Sequence, residues 1–323
     1  MLKLFSTNPF ISVDGNISFA NVFDRDIVVF FIQTFDTIFI LESFVCFPTF
    51  DTIFVAEYFV CNLYLCVKED NNVANDFIKV ELNNVFQDKS ILSKTDLFNF
   101  FLRFDQKMHE STFRWRLHDL KQRKVITALS KKWFTLEYKP NYLPQLNKTE
   151  NAIAKIVKDN FRGMKYCIWP TRLLQDFMLH QPGRSIILVE VEPAAAESVF
   201  HTLKDNKIND VFLKPGEIEL SRYVFEATKP VIVQNLITKS PMQYRFDSVT
   251  TTIEKMIVDI FTDKKLFSAY QGSELSEIIN QAYDRYAINF TTLMSYATRR
   301  KKADELTKFL KEQTYIPHQL LHD

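Results

Sequence analysis

Between residues 75 and 139, hydrophobic positions recur three times at helical spacing and then twice at strand spacing. The first helix is predicted within NDFIKVELNNVFQD. The second is predicted within LSKTDLFNFFLRFD, where Ser93 and Asp96 have the spacing of a capping box. The third is predicted to be capped by Glu110 or Ser111 and carries one apolar stripe, formed by Phe113, Leu117 and Leu120. The runs VITAL and WFTLEY predict two short strands joined by a turn at SKK.

Three helices followed by a two-stranded hairpin are typical of the winged helix-turn-helix, whose third helix normally enters the major groove of DNA. Steps of 100° per residue place a polar set opposite the apolar stripe of the third helix, flanked by two arginines. Arginine suits guanine O6 and N7, and the two lysines at the hairpin turn suit phosphate. The predicted DNA-binding residues are Ser111, Arg114, Trp115, Arg116, His118, Gln122, Lys131 and Lys132.

Two interpretations of this basic helix stay open. Lys121, Arg123 and Lys124 also suit the C-terminal dipole of a solvated helix, and a winged helix can dock a protein instead of DNA. Trp115 either stacks on nucleic acid or packs beneath the hairpin beside Trp133.

From residue 140 onward, strand and helix patterns alternate. YKPNYLPQLN contains two prolines, which favours a linker over residues 140–150. The runs KYCIWP, RSIILVEVEP, DVFLKP and PVIVQNLI predict strands, TRLLQDFML predicts a helix capped by Thr171, and the chain from Thr251 onward predicts helices. Residues 151–323 are therefore predicted to form an α/β domain with a mixed sheet flanked by helices and a helical C-terminus. With the winged helix-turn-helix of residues 75–139, the predicted class is α+β.

The first 74 residues have a different composition. TFDTIFILESFVCF (34–47) is followed by the near copy TFDTIFVAEYFVCN (49–62), and phenylalanine occupies thirteen of the first 66 positions. Four acidic residues interrupt the apolar runs, which argues against a membrane span: Asp36, Glu42, Asp51 and Glu57. We interpret residues 1–74 as a repetitive extension that is either spurious or disordered. The alternative is a hydrophobic hairpin that docks on a partner.

Charge is distributed unevenly although the net charge is only +1. Residues 89–139 contain twelve Lys and Arg against five Asp and Glu, whereas residues 1–80 contain four against ten. Five glycines and the lack of GxGxxG or GxxxxGK[ST] argue against a Gly-rich phosphate loop. The four cysteines include no CxxC pair, which favours reduced thiols and a cytoplasmic location. No cofactor, metal or membrane partner is expected.

Several segments together resemble a known family. They are TFRWRLHDLKQRKVITALSKKWFTL, YCIWPTRLLQDF, IILVEVE, TIEKMIVDIF and FTTLMSYATRRKKADELTKFL. Their order resembles the AbiEi-type antitoxins of abortive-infection, type IV toxin–antitoxin systems, and most of all a branch found in Bacteroidetes. The similarity covers roughly Ala74 to Gln313. It implies a transcriptional regulator that represses its own operon by binding double-stranded promoter DNA. It also implies a C-terminal domain that counteracts a nucleotidyltransferase toxin, with no small-molecule substrate.

The same resemblance implies a core shared with PD-(D/E)xK nucleases. This sequence has Glu190-Val191-Glu192 on the central strand, without a lysine where that motif requires one. Glu190 and Glu192 are expected on one face of the strand, with Lys204 or Lys214 as a nearby cation. We do not expect enzymatic activity, and a degenerate nuclease-like domain is kept as an alternative.

Other charged positions carry weaker expectations. His180, near Arg184, is expected to bond to backbone in a loop. Glu254 and Asp259 lie about 140° apart on one helix and are not expected to pair. The basic run at 299–302 is expected to be a solvated helix face.

Overall fold

The structure is a computed structural model that describes the backbone of residues 11–13, 17–24, 27–34, 37–40, 71–180 and 182–321. Side chains are described within 78–180 and 182–321. The chain divides into two compact units, Met1–Ile78 and Lys79–Asp323.

The first unit contains a four-stranded antiparallel sheet with the order β1-β2-β3-β4. Its strands are β1 Ile11–Val13, β2 Ile17–Asp24, β3 Ile27–Thr34 and β4 Thr37–Ile40. The two phenylalanine-rich repeats fall largely outside the described residues. The interpretation of residues 1–74 as a spurious or disordered extension stays a hypothesis.

Three helices and a small sheet follow, near the predicted positions. They are α1 Asn71–Phe86, β5 Leu92–Ser93, α2 Lys94–Leu102, α3 Glu110–Gln122, β6 Thr127–Ala128 and β7 Trp133–Thr135. The predicted capping box is confirmed, because the Ser93 side chain accepts from the Asp96 backbone and the Asp96 side chain accepts from the Ser93 backbone. The cap expected for α3 is wrong: the N-cap is His109, without a side-chain cap bond. Strand β7 pairs with both β5 and β6, which makes a three-stranded sheet.

The C-terminal region is built on a four-stranded mixed sheet with the order β10-β11-β9-β8. The strands are β8 Tyr166–Pro170, β9 Ile187–Val191, β10 Val211–Leu213 and β11 Val231–Asn235. Strands β9, β10 and β11 are parallel, and β8 is antiparallel to β9. A hairpin follows, formed by β12 Met242–Arg245 and β13 Ser248–Thr251.

Helices cover both faces of this sheet, as the alternating pattern predicts. They are α4 Lys148–Asn160, α5 Ala196–Asp205, α6 Ile253–Thr262, α7 Ser273–Arg285, α8 Phe290–Arg299 and α9 Ala303–Gln313. Helix α4 therefore begins inside the predicted linker. The helix predicted at TRLLQDFML is a 3-10 helix, Thr171–Phe177, whose N-cap is Pro170 rather than Thr171.

The sheet divides the core into two layers, and alternate residues of each strand face one layer or the other. Ile187, Val189 and Val191 face α4 and α5, whereas Leu188 and Ile232 face the layer that contains α6, α7 and α8. Glu190 is two residues after Leu188 and lies on the same face of β9, so its carboxylate points toward α6. Among the described residues, no helix has the length and apolar character needed to cross a membrane.

Candidate functional site

Helix α3 has one buried face and one exposed face. Phe113, Leu117 and Leu120 are buried, as the spacing predicts. On the other side, seven of the eight predicted DNA-binding side chains are exposed and one, Arg116, is only partly so. The exposed set on the helix and the hairpin turn is Ser111, Arg114, Trp115, His118, Gln122, Lys131 and Lys132.

A short chain of contacts connects the start of α3 to the hairpin turn. Arg114 Nη2 lies 2.9 Å from Glu110 Oε1, and Lys94 Nζ lies 3.7 Å from the same oxygen. The backbone N–H of Lys94 donates to the Lys132 carbonyl over 2.7 Å. The structure thus brings the first turn of α3 next to the two turn lysines and adds Lys94, which the sequence analysis did not single out. We call Lys94, Glu110, Arg114, Lys131 and Lys132 the basic edge.

Arg116 departs from the prediction. Its guanidinium lies over the Phe101 ring, 5.2 Å from the ring centroid, and its Nη1 is buried without a hydrogen-bond partner among the described residues. The aliphatic stem of arginine packs well on apolar surface, so this side chain helps to cover the helical core. It is therefore turned partly away from the exposed face.

Trp115 does not pack beneath the hairpin, which was one of two alternatives. Its side chain is 65% exposed. Trp133 instead packs against the C-terminal core, together with the buried Leu129. Trp115 is therefore accessible to a ligand.

The hairpin turn is fixed to the start of α8. The N–H of Phe290 donates to the Leu129 carbonyl over 2.8 Å, and the N–H of Lys131 donates to Thr291 Oγ1 over 3.2 Å. Lys139 also donates to the Tyr283 carbonyl over 2.6 Å. These bonds hold the turn in one position while its two lysine side chains extend into solvent.

A second candidate site is a group of ionisable side chains, four of them buried and Arg300 partly buried, which we call the charge cluster: Glu190, Lys255, Asp259, Tyr296 and Arg300. Lys255 Nζ lies 2.6 Å from Glu190 Oε2 and also pairs with Asp259. Asp259 Oδ1 accepts from the Tyr296 hydroxyl over 2.9 Å and from Arg300 Nη1 over 2.8 Å. An alternating row of charges therefore runs from β9 through α6 to the end of α8.

Burial and pairing act against each other on these groups. Burial raises the pKa of Glu190, and the Lys255 charge only partly offsets it. Burial alone would lower the pKa of Lys255, but Asp259 and Glu190 outweigh it and raise this pKa well above its ordinary value. Burial also raises the pKa of Tyr296 to about 12. Lys255 is therefore held as a cation between the two carboxylates.

Three residues of the charge cluster, Glu190, Asp259 and Arg300, line a cleft of about 290 Å³. Glu190, Gln234 and Lys214 stand at or just beyond the carboxyl ends of the parallel strands, and Asp259 and Arg300 close the opposite side. In open α/β sheets, ligands bind in crevices outside the carboxyl ends of the strands. The cleft thus lies where this architecture usually places a ligand.

Of the nuclease-like residues predicted from the sequence, the structure places only Glu190 and Lys214 at the same cleft. Glu190 is buried, but Glu192 lies beyond the end of β9 and is exposed, so the expected pair on one face is wrong. Lys214 lines the cleft with Glu190, whereas Lys204 lies over the Phe200 ring. No group of three or more His, Cys, Asp or Glu that could hold a metal occurs in the described part of the chain.

Of the three weaker expectations, two need revision and one agrees with the structure. His180 Nδ1 lies 2.6 Å from the side chain of Glu274, so its partner is not backbone. The basic run at 299–302 is only partly a solvated face, because Arg300 joins the charge cluster. Glu254 and Asp259 do not pair, as expected: Glu254 accepts from the Asn289 N–H over 2.9 Å.

Lys255 is the residue of the charge cluster that sequence reasoning missed. It stands four residues before Asp259 in IEKMIVDIF, a helix that is buried over nearly its whole length. Opposite charges at i and i+4 inside an otherwise apolar helix are the signal that could have identified this pair.

These features define a mixed α+β protein that contains a basic helical surface and a charged cleft. The chain belongs to the family of unknown function DUF6577, whose model matches residues 112–316, more than half of the chain. No curated protein and no solved structure matches it.

Proposed function

We propose that this protein is a DNA-binding transcriptional regulator whose residues 75–139 form a winged helix-turn-helix. Helices α1 to α3 precede the β6–β7 hairpin, which is the chain order of that motif. In this proposal α3 enters the major groove, and the hairpin is the wing that contacts the phosphate backbone.

The observation that supports this proposal most is the exposed polar face of α3 beside the basic edge. A helix that packs by Phe113, Leu117 and Leu120 has its opposite face available to a groove. Residues near the start of a recognition helix usually contact base edges, which assigns this role to Ser111, Arg114 and Trp115. Lys94, Lys131 and Lys132 are assigned to phosphate. Arg116 is assigned to packing.

The proposal is tested by fluorescence anisotropy of the full chain with duplex DNA from upstream of its own gene. We expect binding that exceeds binding to scrambled duplex and that weakens as salt rises. Arg114→Ala is expected to reduce this preference by about 1–3 kcal/mol, the usual range for a bidentate base contact. Lys148→Ala, an exposed lysine at the start of α4, is the matched control. Equal affinity for the scrambled duplex would contradict the proposal.

The resemblance to AbiEi-type antitoxins supports a second part of the proposal, that the C-terminal region counteracts a nucleotidyltransferase toxin in the cytoplasm. The tip of the β12–β13 hairpin is a candidate contact, because Tyr244 is 85% and Phe246 is 94% exposed. The hairpin is held by an ion pair between Lys158 and Asp247. Exposed aromatic side chains on a fixed element are typical of protein interfaces.

Co-expression with a nucleotidyltransferase encoded beside the gene tests the antitoxin part. The protein is expected to restore growth, and a Tyr244→Ser/Phe246→Ser variant is expected to lose this protection. Leu179→Ser, which changes another exposed apolar side chain, is the control and should still protect. If the hairpin variant protects as well as the unchanged protein, the contact lies elsewhere.

Two alternatives have distinct signatures. If the winged helix only docks a protein, duplex DNA will show no salt-dependent affinity. If the C-terminal region is a nuclease, divalent metal will support DNA cleavage that Glu190→Gln abolishes. We propose that the protein is not an enzyme, because Lys255 occupies the space between Glu190 and Asp259.

A further inference from the structure

The charged side chains that line the cleft differ in how many hydrogen bonds they form within the protein. Glu190 Oε1 accepts from Trp169 Nε1 over 3.3 Å and from Gln234 Nε2 over 3.2 Å, in addition to its bonds with Lys255. Asp259 accepts from Lys255 and Arg300, and from the Tyr296 hydroxyl. The carboxylates that back the cleft are therefore already engaged by donors within the protein.

The cations that face the cleft are less fully engaged. Arg300 donates to Asp259 through Nη1, and its guanidinium has further N–H donors available. Lys214 is exposed and forms no ion pair with any carboxylate in the described part of the chain. The Asn235 amide, also exposed, lines the same cleft. The Lys214 ammonium and the Asn235 amide can thus donate to a ligand in the cleft, and a ligand that brings acceptor oxygens would bond to them.

The backbone at Lys214 supports a functional role for this position. Its φ is 45°, a left-handed conformation that is unfavourable for a residue with a side chain, and Pro215 follows it. The N–H of Lys214 donates to the Val233 carbonyl over 2.9 Å, which holds this conformation. Strained backbone of this kind is concentrated at binding and catalytic sites. Here it sets Lys214 at the mouth of the cleft.

The remaining walls limit what can bind. Leu220, Ile232 and Leu266 supply apolar surface, and Asp263 can accept a bond from a hydroxyl group. The volume of about 290 Å³ lies just below the usual range for small-molecule sites, roughly 300–1,000 Å³. These limits fit a small molecule that carries a phosphate, hydroxyl groups and a modest apolar part.

We propose that this cleft binds a small phosphorylated metabolite of mononucleotide or sugar-phosphate size, with its phosphate between Lys214 and Arg300. The phosphate accepts from the two cations and the Asn235 amide, while a hydroxyl group of the ligand donates to Asp263. The charge cluster behind it keeps Arg300 in place through Asp259. This site is separate from the α3 surface, and the proposal does not depend on DNA binding.

Isothermal titration calorimetry of the full chain tests this site. The probes are adenosine 5′-monophosphate, ribose 5-phosphate and inorganic phosphate, with adenosine as the unphosphorylated control. We expect saturable binding of at least one small phosphorylated probe and none of adenosine. Lys214→Gln is expected to weaken this binding at least about tenfold, because a charge-assisted hydrogen bond is lost.

Lys207→Gln is the matched control. Lys207 is also exposed and left-handed, with φ 62°, but it does not line the cleft. A 5′-phosphorylated tetranucleotide distinguishes a free metabolite from the end of a nucleic acid. The proposal is overturned if no small phosphorylated probe binds, if only the tetranucleotide binds, or if both lysine variants weaken binding equally.

Discussion

The basic edge and the charge cluster contain the same kinds of ion pair in opposite environments. The Arg114–Glu110 pair is exposed, with 67% and 57% of the two side chains accessible, whereas the Lys255–Glu190 pair is 1% and 4% accessible. Water screens the first pair, so either partner can leave it at little cost. The second pair has lost its hydration, so each partner depends on the other. The exposed charges are therefore suited to binding, and the buried charges to fixing structure.

This difference predicts a large effect on stability when the cation of the charge cluster is removed. Lys255→Met leaves Glu190 and Asp259 buried without their shared counter-charge, which is expected to lower the free energy of unfolding by about 3–5 kcal/mol. Urea unfolding followed by circular dichroism measures it. Lys264→Met, at an exposed lysine just beyond α6, is the control and should change little. A loss below about 1 kcal/mol in Lys255→Met would show that this network does not support the fold.

The burial of Tyr296 in the charge cluster predicts a change in protein stability at alkaline pH. The pKa of Tyr296 is raised from 10.0 to about 12, so the folded state keeps a proton that the unfolded state loses above pH 10. The stability that Tyr296 contributes is thus complete below pH 10 and is lost as pH rises through 12. The stability difference between the unchanged protein and Tyr296→Phe is expected to shrink by about 1–3 kcal/mol from pH 9 to pH 12. Unfolding curves across this range measure it, and a constant difference would contradict the buried environment of this hydroxyl.

A smaller gain in stability is expected at the exposed hairpin tip. Phe246 has a φ of 51° at the first position of a two-residue turn, where hairpins of this kind favour glycine. Phe246→Gly is expected to raise the free energy of unfolding by about 0.5–1 kcal/mol, after the entropy of glycine is included. Asp247→Gly is the control and is not expected to stabilise the protein. Asp247 does not have a positive φ, and its replacement removes the ion pair with Lys158. Thermal unfolding of both variants checks this, and destabilisation by Phe246→Gly would oppose it.

The smallest effect is expected within the basic edge itself. Glu110 holds both Arg114 and Lys94, and the hydrogen bond and charge of Arg114 lower the pKa of its carboxyl group. Glu110→Gln should release Arg114 and remove a charge that repels phosphate, so DNA affinity should rise a few-fold. Anisotropy titrations at low salt measure the gain, and Glu137→Gln, another exposed glutamate, controls for net charge. If the Glu110→Gln and Glu137→Gln variants bind DNA with equal affinity, Arg114 does not contact the DNA.

Local patterns predicted the helices and strands, while long-range partners escaped sequence analysis. The Ser93–Asp96 capping box and the stripe of α3 depend on residues three to seven apart, and the structure agrees with them. The direct partners of Glu190 are Trp169, Gln234 and Lys255, which lie 21, 44 and 65 residues away in the chain. Strand periodicity alone could therefore not identify Lys255. Arg116 shows the same limit, since its contact with Phe101 depends on how α2 packs against α3.

The salt dependence of DNA binding by the full chain shows most directly whether the basic edge contacts DNA. The unchanged protein is expected to prefer the duplex from upstream of its own gene over a scrambled duplex, with affinity that falls steeply as salt rises. A Lys131→Ala/Lys132→Ala variant should bind more weakly to both duplexes and reduce the slope of log affinity against log salt by about two, while keeping the preference. If the duplex from upstream of the gene binds no better than the scrambled one and the variant leaves the slope unchanged, the basic edge is not a DNA-binding surface.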